Sequence, residues 1–211
     1  AVRDGRQMAV KMGYMGGGSL KELSDCTVGL IGFGAIARAV ADMLQGFGVT
    51  VYYTKRHRLS PEEEARYQVQ YLSMDELLKT CDMLSLHVPV TGETAGMCSR
   101  EFFAKCRKGS YFINTSRGEL VDDEALREAL ENGTIAMAGL DTLDHEPVQK
   151  DHPMLSWPEK TLAKLLFSPH IGGITGSSFH RGYAMIWEDI EKLSRGETPG
   201  HIVNQRELDQ R

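Results

Sequence analysis

Thr27-Val28-Gly29-Leu30-Ile31-Gly32-Phe33-Gly34-Ala35-Ile36-Ala37 is the stretch on which the reading of this chain turns. Its first five residues form a short apolar run that ends in glycines, the pattern of a buried strand. From Ile36 to Phe47 the apolar residues recur at helical spacing, and Gly46 and Gly48 stop the helix. Val49 to Tyr53 is β-branched and aromatic, so a second strand follows. A G-x-G-x-x-A turn between a strand and a helix, with another strand behind it, has a physical use. Gly32 permits the tight turn, Gly34 lets an anion approach the backbone, and Ala37 keeps the helix close to the sheet. The helix start then offers unpaired N–H groups and a positive dipole end to phosphates. Dinucleotide binding is the reading this context supports; a glycine turn without a ligand is the bland alternative.

Working outward, the strand–helix alternation continues. The polar run Lys55 to Arg66 reads as a loop with one helical turn. Val69 to Leu72 reads as a strand, and Ser73 with Glu76 forms a capping box. Strands are expected at Asp82–Leu86, Ser110–Asn114, Ile135–Leu140 and Leu165–Phe167. Helices are expected after Ser99, from Asp122 to Glu131, and from Ser177 to Arg195. Alternation of this kind marks an α/β fold: a Rossmann-type doubly wound parallel sheet with helices on both faces. The segment 144–163, with Pro147, Pro153 and Pro158, reads as one long loop. Apolar residues of the last helix, such as Met185 and Ile186, are expected in the core, and Trp157 and Trp187 as packing or interface anchors. His57, His145, His152, His180 and His201 are expected at the surface.

The composition narrows the class. The chain has 211 residues, a formal net charge of −5, 41% hydrophobic and 25% charged residues. That is a normal globular balance and an acidic one, which argues against a nucleic-acid-binding face. No window approaches the ~18 uninterrupted apolar residues of a membrane span. Cys26, Cys81, Cys98 and Cys106 show no metal-ligand spacing and read as reduced thiols, so a cytoplasmic location and no metal are expected. The 22 glycines exceed the usual ~7%, and several of them fall at strand ends, where a bulky ligand needs backbone access.

The end of the second strand normally carries Asp or Glu for a ribose 2′-hydroxyl. Here Thr54 stands there, followed by Lys55, Arg56, His57 and Arg58. A hydroxyl with adjacent cations suits a 2′-phosphate, which favours NADP(H), with NAD(H) as the alternative. A solvated basic loop is the bland reading.

Further polar residues follow later strands. They are Arg117 in Asn114-Thr115-Ser116-Arg117-Gly118, Asp141 with Glu146-Pro147, and His170 in Ser168-Pro169-His170-Ile171-Gly172-Gly173. With His87-Val88-Pro89 and Thr94, these segments resemble the nucleotide-binding domain of the D-isomer-specific 2-hydroxyacid dehydrogenases, from about Leu23 to Asn204. The resemblance implies hydride transfer between a nicotinamide cofactor and a 2-oxo or 2-hydroxy acid. It implies that His170 is the acid in reduction and the base in oxidation, that Glu146 orients it and raises its pKa, and that Arg117 holds the substrate carboxylate. It places Asp141 near the nicotinamide, and has Val88, Thr115, Ser116 and Gly173 line the cofactor cleft. Ala35, Ile36, His87, Pro89 and Thr94 are further candidate cofactor contacts.

The resemblance also implies a homodimer. It implies a division into a linker or arm at 1–24 from a largely absent substrate domain, a dinucleotide-binding domain at 25–196, and a tail at 197–211 returning toward that domain. The chain alone is then expected to bind cofactor and to turn over poorly. The rival from another class is a non-catalytic NAD(P)-sensing module, as in corepressors that resemble these dehydrogenases.

Overall fold

The strands are β1 (Thr27–Ile31), β2 (Thr50–Thr54), β3 (Val69–Tyr71), β4 (Met83–Leu86), β5 (Ser110–Asn114), β6 (Ile135–Leu140) and β7 (Leu165–Phe167). The structure is a computed structural model that describes residues 2–17 and 21–202. The seven strands form one sheet in the order β3-β2-β1-β4-β5-β6-β7, all pairs parallel. The order reverses between β1 and β4. That reversal is the topological switch point, where the loops leaving neighbouring strands diverge and open a crevice.

The helices are α1 (Gln7–Gly17), α2 (Ala35–Gln45), α3 (Pro61–Tyr67), α4 (Met74–Thr80), α5 (Arg100–Lys105), α6 (Asp123–Glu131), α7 (Glu159–Leu162) and α8 (Gly176–Ser194). Side chains alternate across each strand, and β1 shows the result. Ile31 joins an apolar cluster with Leu77, Leu78, Phe102, Phe103, Phe112 and Leu126, under α4, α5 and α6. Leu30 joins a separate cluster with Ala37, Ala41, Tyr53, Tyr67 and Val69, under α2 and α3. Helices therefore cover both faces around β1, as the sequence pattern requires.

The described residues fall into two compact units, one ending at Pro169 and one starting at His170. In the second, Thr175 and Ser178 form a capping box at the start of α8. The chain then folds back so that the Gly200 N–H and His201 Nδ1 meet the Asp189 carboxylate at 2.7 and 3.0 Å. Gly18 and the end of the tail, including Asn204, lie outside the described residues.

Several expectations change. The run from Lys55 to Arg66 holds a helix of two turns, not one. Pro61 occupies its first position, where a missing N–H costs nothing, and Ser60 and Glu63 form a capping box. The arm before β1 contains α1. The segment 144–163 is broken by a 3-10 turn at Pro153–Ser156 and by α7. Met185 and Ile186 are exposed, as is Trp187, and no residue of α8 is buried. Helical spacing establishes that a face is apolar, not that something covers it. Trp157 is buried as a packing residue. His152 is buried too: its Nδ1 accepts the Met154 N–H and its Nε2 lies 3.2 Å from the Asp144 carbonyl oxygen.

The four cysteines are free and buried. Burial pushes the Cys81 and Cys106 thiols up to about 12. Among the described residues no helix is long and apolar enough to cross a membrane.

Candidate functional site

The glycine turn is pinched between two neighbouring strand ends. The Gly32 N–H donates to the Thr54 carbonyl at 2.9 Å, and the His87 N–H donates to the Ile31 carbonyl at 2.7 Å. Gly32 has φ +92°, and a Cβ there would lie 2.4 Å from the His87 carbonyl oxygen. Only glycine fits such a position. Gly34 is the N-cap of α2 and offers no side-chain cap to the helix. A Cβ at Gly34 would meet nothing within 4 Å. Ala35 and Ile36 are exposed, whereas Ala37 is fully buried against the sheet. The first-turn N–H groups have no partner within the helix, and no acidic side chain stands in that turn. The arrangement fits a dinucleotide pyrophosphate: open backbone donors, a positive dipole end and no competing carboxylate in the first turn.

In front of this turn is a cleft of about 560 Å³. Its walls are Gly34 to Ala37 at the start of α2, His87 to Val90 after β4, and Thr115 to Arg117 with Glu119 after β5. It therefore opens at the switch point. Val90 and Glu119 are wall residues that sequence reading missed, although both stand within three residues of strand-end motifs it had marked. Thr94 acts on the loop after β4: its hydroxyl accepts the Thr91 N–H at 2.8 Å and donates to the Pro89 carbonyl at 2.7 Å. Half-buried His87 places Nε2 3.0 Å from the Ser85 hydroxyl, and burial lowers its pKa, which keeps the imidazole neutral near pH 7.

The loop carrying Arg117 is built on Asn114, a fully buried residue to which the sequence reading assigned no role of its own. The Asn114 amide donates to the Arg117 carbonyl at 2.8 Å, and its carbonyl accepts the Ser116 N–H at 3.0 Å. The Ser116 hydroxyl donates to the Leu86 carbonyl at 2.7 Å, tying the ends of β5 and β4 together. The Arg117 side chain is exposed and donates to the Ser116 carbonyl at 2.6 Å.

Gly118 then packs directly on the loop after β6, against Leu143 and Asp144. The Leu143 N–H donates to the Glu146 carboxylate at 3.1 Å. The loops that bear Arg117 and Glu146 are thus stacked on each other within the first unit. Asp141 is buried and accepts a hydrogen bond from Ser168. His170 opens the second unit with a left-handed backbone, φ +53°. Gly173 lies in that unit too, where its carbonyl accepts the Ser178 hydroxyl at 2.6 Å.

Thr54 is buried at the end of β2, with half-buried Lys55 and exposed Arg56 behind it; none of the three lines the cleft. Arg56 pairs with Glu93 at 2.5 Å. Arg58 is bound by both oxygens of Glu64, at 2.8 and 2.9 Å. Glu64 also accepts the Tyr53 hydroxyl at 2.7 Å. Among the described residues no group of three or more His, Cys, Asp or Glu could hold a metal ion.

Comparison with known proteins follows the same lines. The model of the D-isomer specific 2-hydroxyacid dehydrogenase, NAD binding domain, matches residues 3–172. A glyoxylate reductase of Korarchaeum cryptofilum is 37% identical over 180 residues, covering 85% of this chain and 52% of that protein. The glyoxylate reductase/hydroxypyruvate reductase of Homo sapiens is 39% identical over 153 residues, covering 72% of this chain and 45% of that one. A D-isomer specific 2-hydroxyacid dehydrogenase from Lactobacillus delbrueckii ssp. bulgaricus, in its NAD complexed form, superposes with a TM-score of 0.76 at 36% identity. That match covers 87% of this chain and 58% of the other. The chain spans about half the length of the curated relatives it matches. The glycine turn, the switch-point cleft and the matched span together establish that the chain belongs to the D-isomer specific 2-hydroxyacid dehydrogenase family, as its NAD-binding domain.

Proposed function

We propose that this chain is the cofactor-binding part of an oxidoreductase that transfers a hydride between NADP(H) and a small 2-oxo or 2-hydroxy acid. The observation that carries the reading is the cleft at the switch point, with the open N-terminus of α2 on one side and the Arg117 loop on the other. The bound nicotinamide supplies the hydride chemistry. The N–H groups at Gly34 to Ile36 hold the pyrophosphate, and Thr115 and Ser116 form the wall beside it. Arg117 holds a carboxylate through its forked donors. His170 donates a proton to the 2-oxygen in reduction and removes it in oxidation, and Glu146 and Asp141 keep the roles the resemblance assigns them. Turnover needs a second wall to position the acid and exclude water, so the chain alone binds cofactor and turns over poorly.

The preference for NADP(H) is supported by Thr54, which replaces the usual ribose-binding carboxylate, and by Lys55 and Arg56 behind it. Four free, buried thiols support a reducing, cytoplasmic setting. Self-association as a homodimer rests on the family resemblance. Calorimetric titration with NADPH and NADH tests the core of the reading. Micromolar or tighter binding, with NADPH ahead of NADH, is expected. Binding of neither would overturn the cofactor role, and tighter NADH would overturn the preference.

A further inference from the structure

Resting on that reading, we infer that Glu93 is a specificity residue whose carboxylate competes with the cofactor's 2′-phosphate for Arg56. Arg56 lies two residues past the end of β2, and Glu93 seven residues past the end of β4. These strands flank β1 on opposite sides, so their ends stand about 10 Å apart, two strand spacings. The Arg56–Glu93 pair at 2.5 Å bridges that gap beyond the end of β1. In this fold the adenosine ribose lies beside the end of β2, and a nearby arginine receives a 2′-phosphate there.

Arg58 is not equivalent to Arg56. Arg58 is enclosed in the network of Glu64 and Tyr53, with the Tyr53 hydroxyl also accepting the Leu59 N–H at 2.9 Å. Arg56 is instead held by one carboxylate, and the two side chains are 70% and 76% exposed. An exposed pair is weak, so a dianionic phosphate can displace Glu93 from the guanidinium. Until it does, Glu93 holds one nitrogen of the guanidinium and places negative charge beside the incoming phosphate. NADH has no 2′-phosphate and does not compete for the guanidinium. Glu93 therefore narrows the gap between NADPH and NADH that Arg56 creates.

The test is fluorescence or calorimetric titration of the chain with NADPH and with NADH, for the unaltered protein, Glu93→Gln, Arg56→Ala and the double variant. Both positions are exposed, so thermal unfolding should stay unchanged and confirm intact folding. Glu93→Gln is expected to tighten NADPH about two- to fivefold at low salt, with NADH within about 1.5-fold and the gain shrinking at high salt. Arg56→Ala is expected to weaken NADPH about tenfold, and on that background Glu93→Gln should give no gain. If Arg56→Ala weakens NADPH but Glu93→Gln does not tighten it, or tightens both cofactors equally, the role of Glu93 is overturned and the NADP(H) reading stands. If Arg56→Ala leaves the NADPH-to-NADH ratio unchanged, both fall.

Discussion

Gly118 lies so close to Leu143 that a Cβ on it would sit 1.9 Å from the Leu143 carbonyl carbon, and 2.0 Å from the Asp144 nitrogen. The obstructing atoms are backbone, so no side chain can swing aside. Gly118→Ala is expected to force the loops after β5 and β6 apart and to lower stability by about 3 kcal/mol. Urea unfolding measures this, and a loss under about 1 kcal/mol would show that the two loops are not stacked as described.

Asn114 makes a different kind of prediction. Its amide satisfies the Arg117 carbonyl and the Ser116 N–H from a fully buried position. Asn114→Ala strands both backbone groups, at about 1–3 kcal/mol for each that water cannot reach. Urea unfolding should show a loss of about 2 kcal/mol. Cofactor affinity should fall as well, because the Thr115–Arg117 wall loses its anchor. Unchanged affinity with reduced stability would separate that wall from the binding site.

Gly34→Val should separate binding from folding in the opposite sense. The backbone at Gly34 is extended, φ −89° and ψ −164°, which valine adopts readily, and its Cβ position is open. Stability should fall by no more than about 1 kcal/mol, the cost of placing valine at an N-cap. The added side chain projects where a pyrophosphate approaches α2, so NADPH and NADH should both bind at least tenfold more weakly. Retained affinity for both would remove the glycine turn from the binding site.

Burial of His87 lowers its pKa in the folded chain below the ordinary value near 6.5. In that window the unfolded chain binds the additional proton, so stability rises with pH. The contribution is complete above about pH 6.5 and is lost as pH falls through the folded pKa. His87→Asn should flatten the dependence of unfolding free energy on pH below about 6.5. An unaltered slope would place the acid sensitivity on other groups.

Short apolar runs bounded by glycine or proline made most of the strands readable, and Ser73–Glu76 and Asp122 marked helix starts that the structure keeps. The helix from Pro61 to Tyr67 was not readable in full. Its two turns rest on capping and first-turn charge rather than on an apolar stripe. Arg117 and the glycine turn stood out because each sits in a motif at a strand end. The role of Asn114 did not, since the same residue type suits any strand end and only the folded loop shows which backbone groups it serves. The Arg56–Glu93 pair was equally hidden, because strand order, not sequence distance, sets β2 and β4 on either side of β1. His152 shows the converse: a residue read as surface is buried because its two ring nitrogens find backbone partners.

The edges of the sheet differ from its middle, and this sets how it breathes. β1 and β4 each have a strand on both sides, whereas β3 and β7 are three-residue strands with one neighbour each. Opening a segment costs little where few apolar contacts are lost. Amide protons should therefore exchange slowest in β1 and β4 and fastest in the three-residue edge strands β3 and β7. The cofactor cleft lies at the slow end of that gradient, so the phosphate-binding turn stays formed while the edges fray.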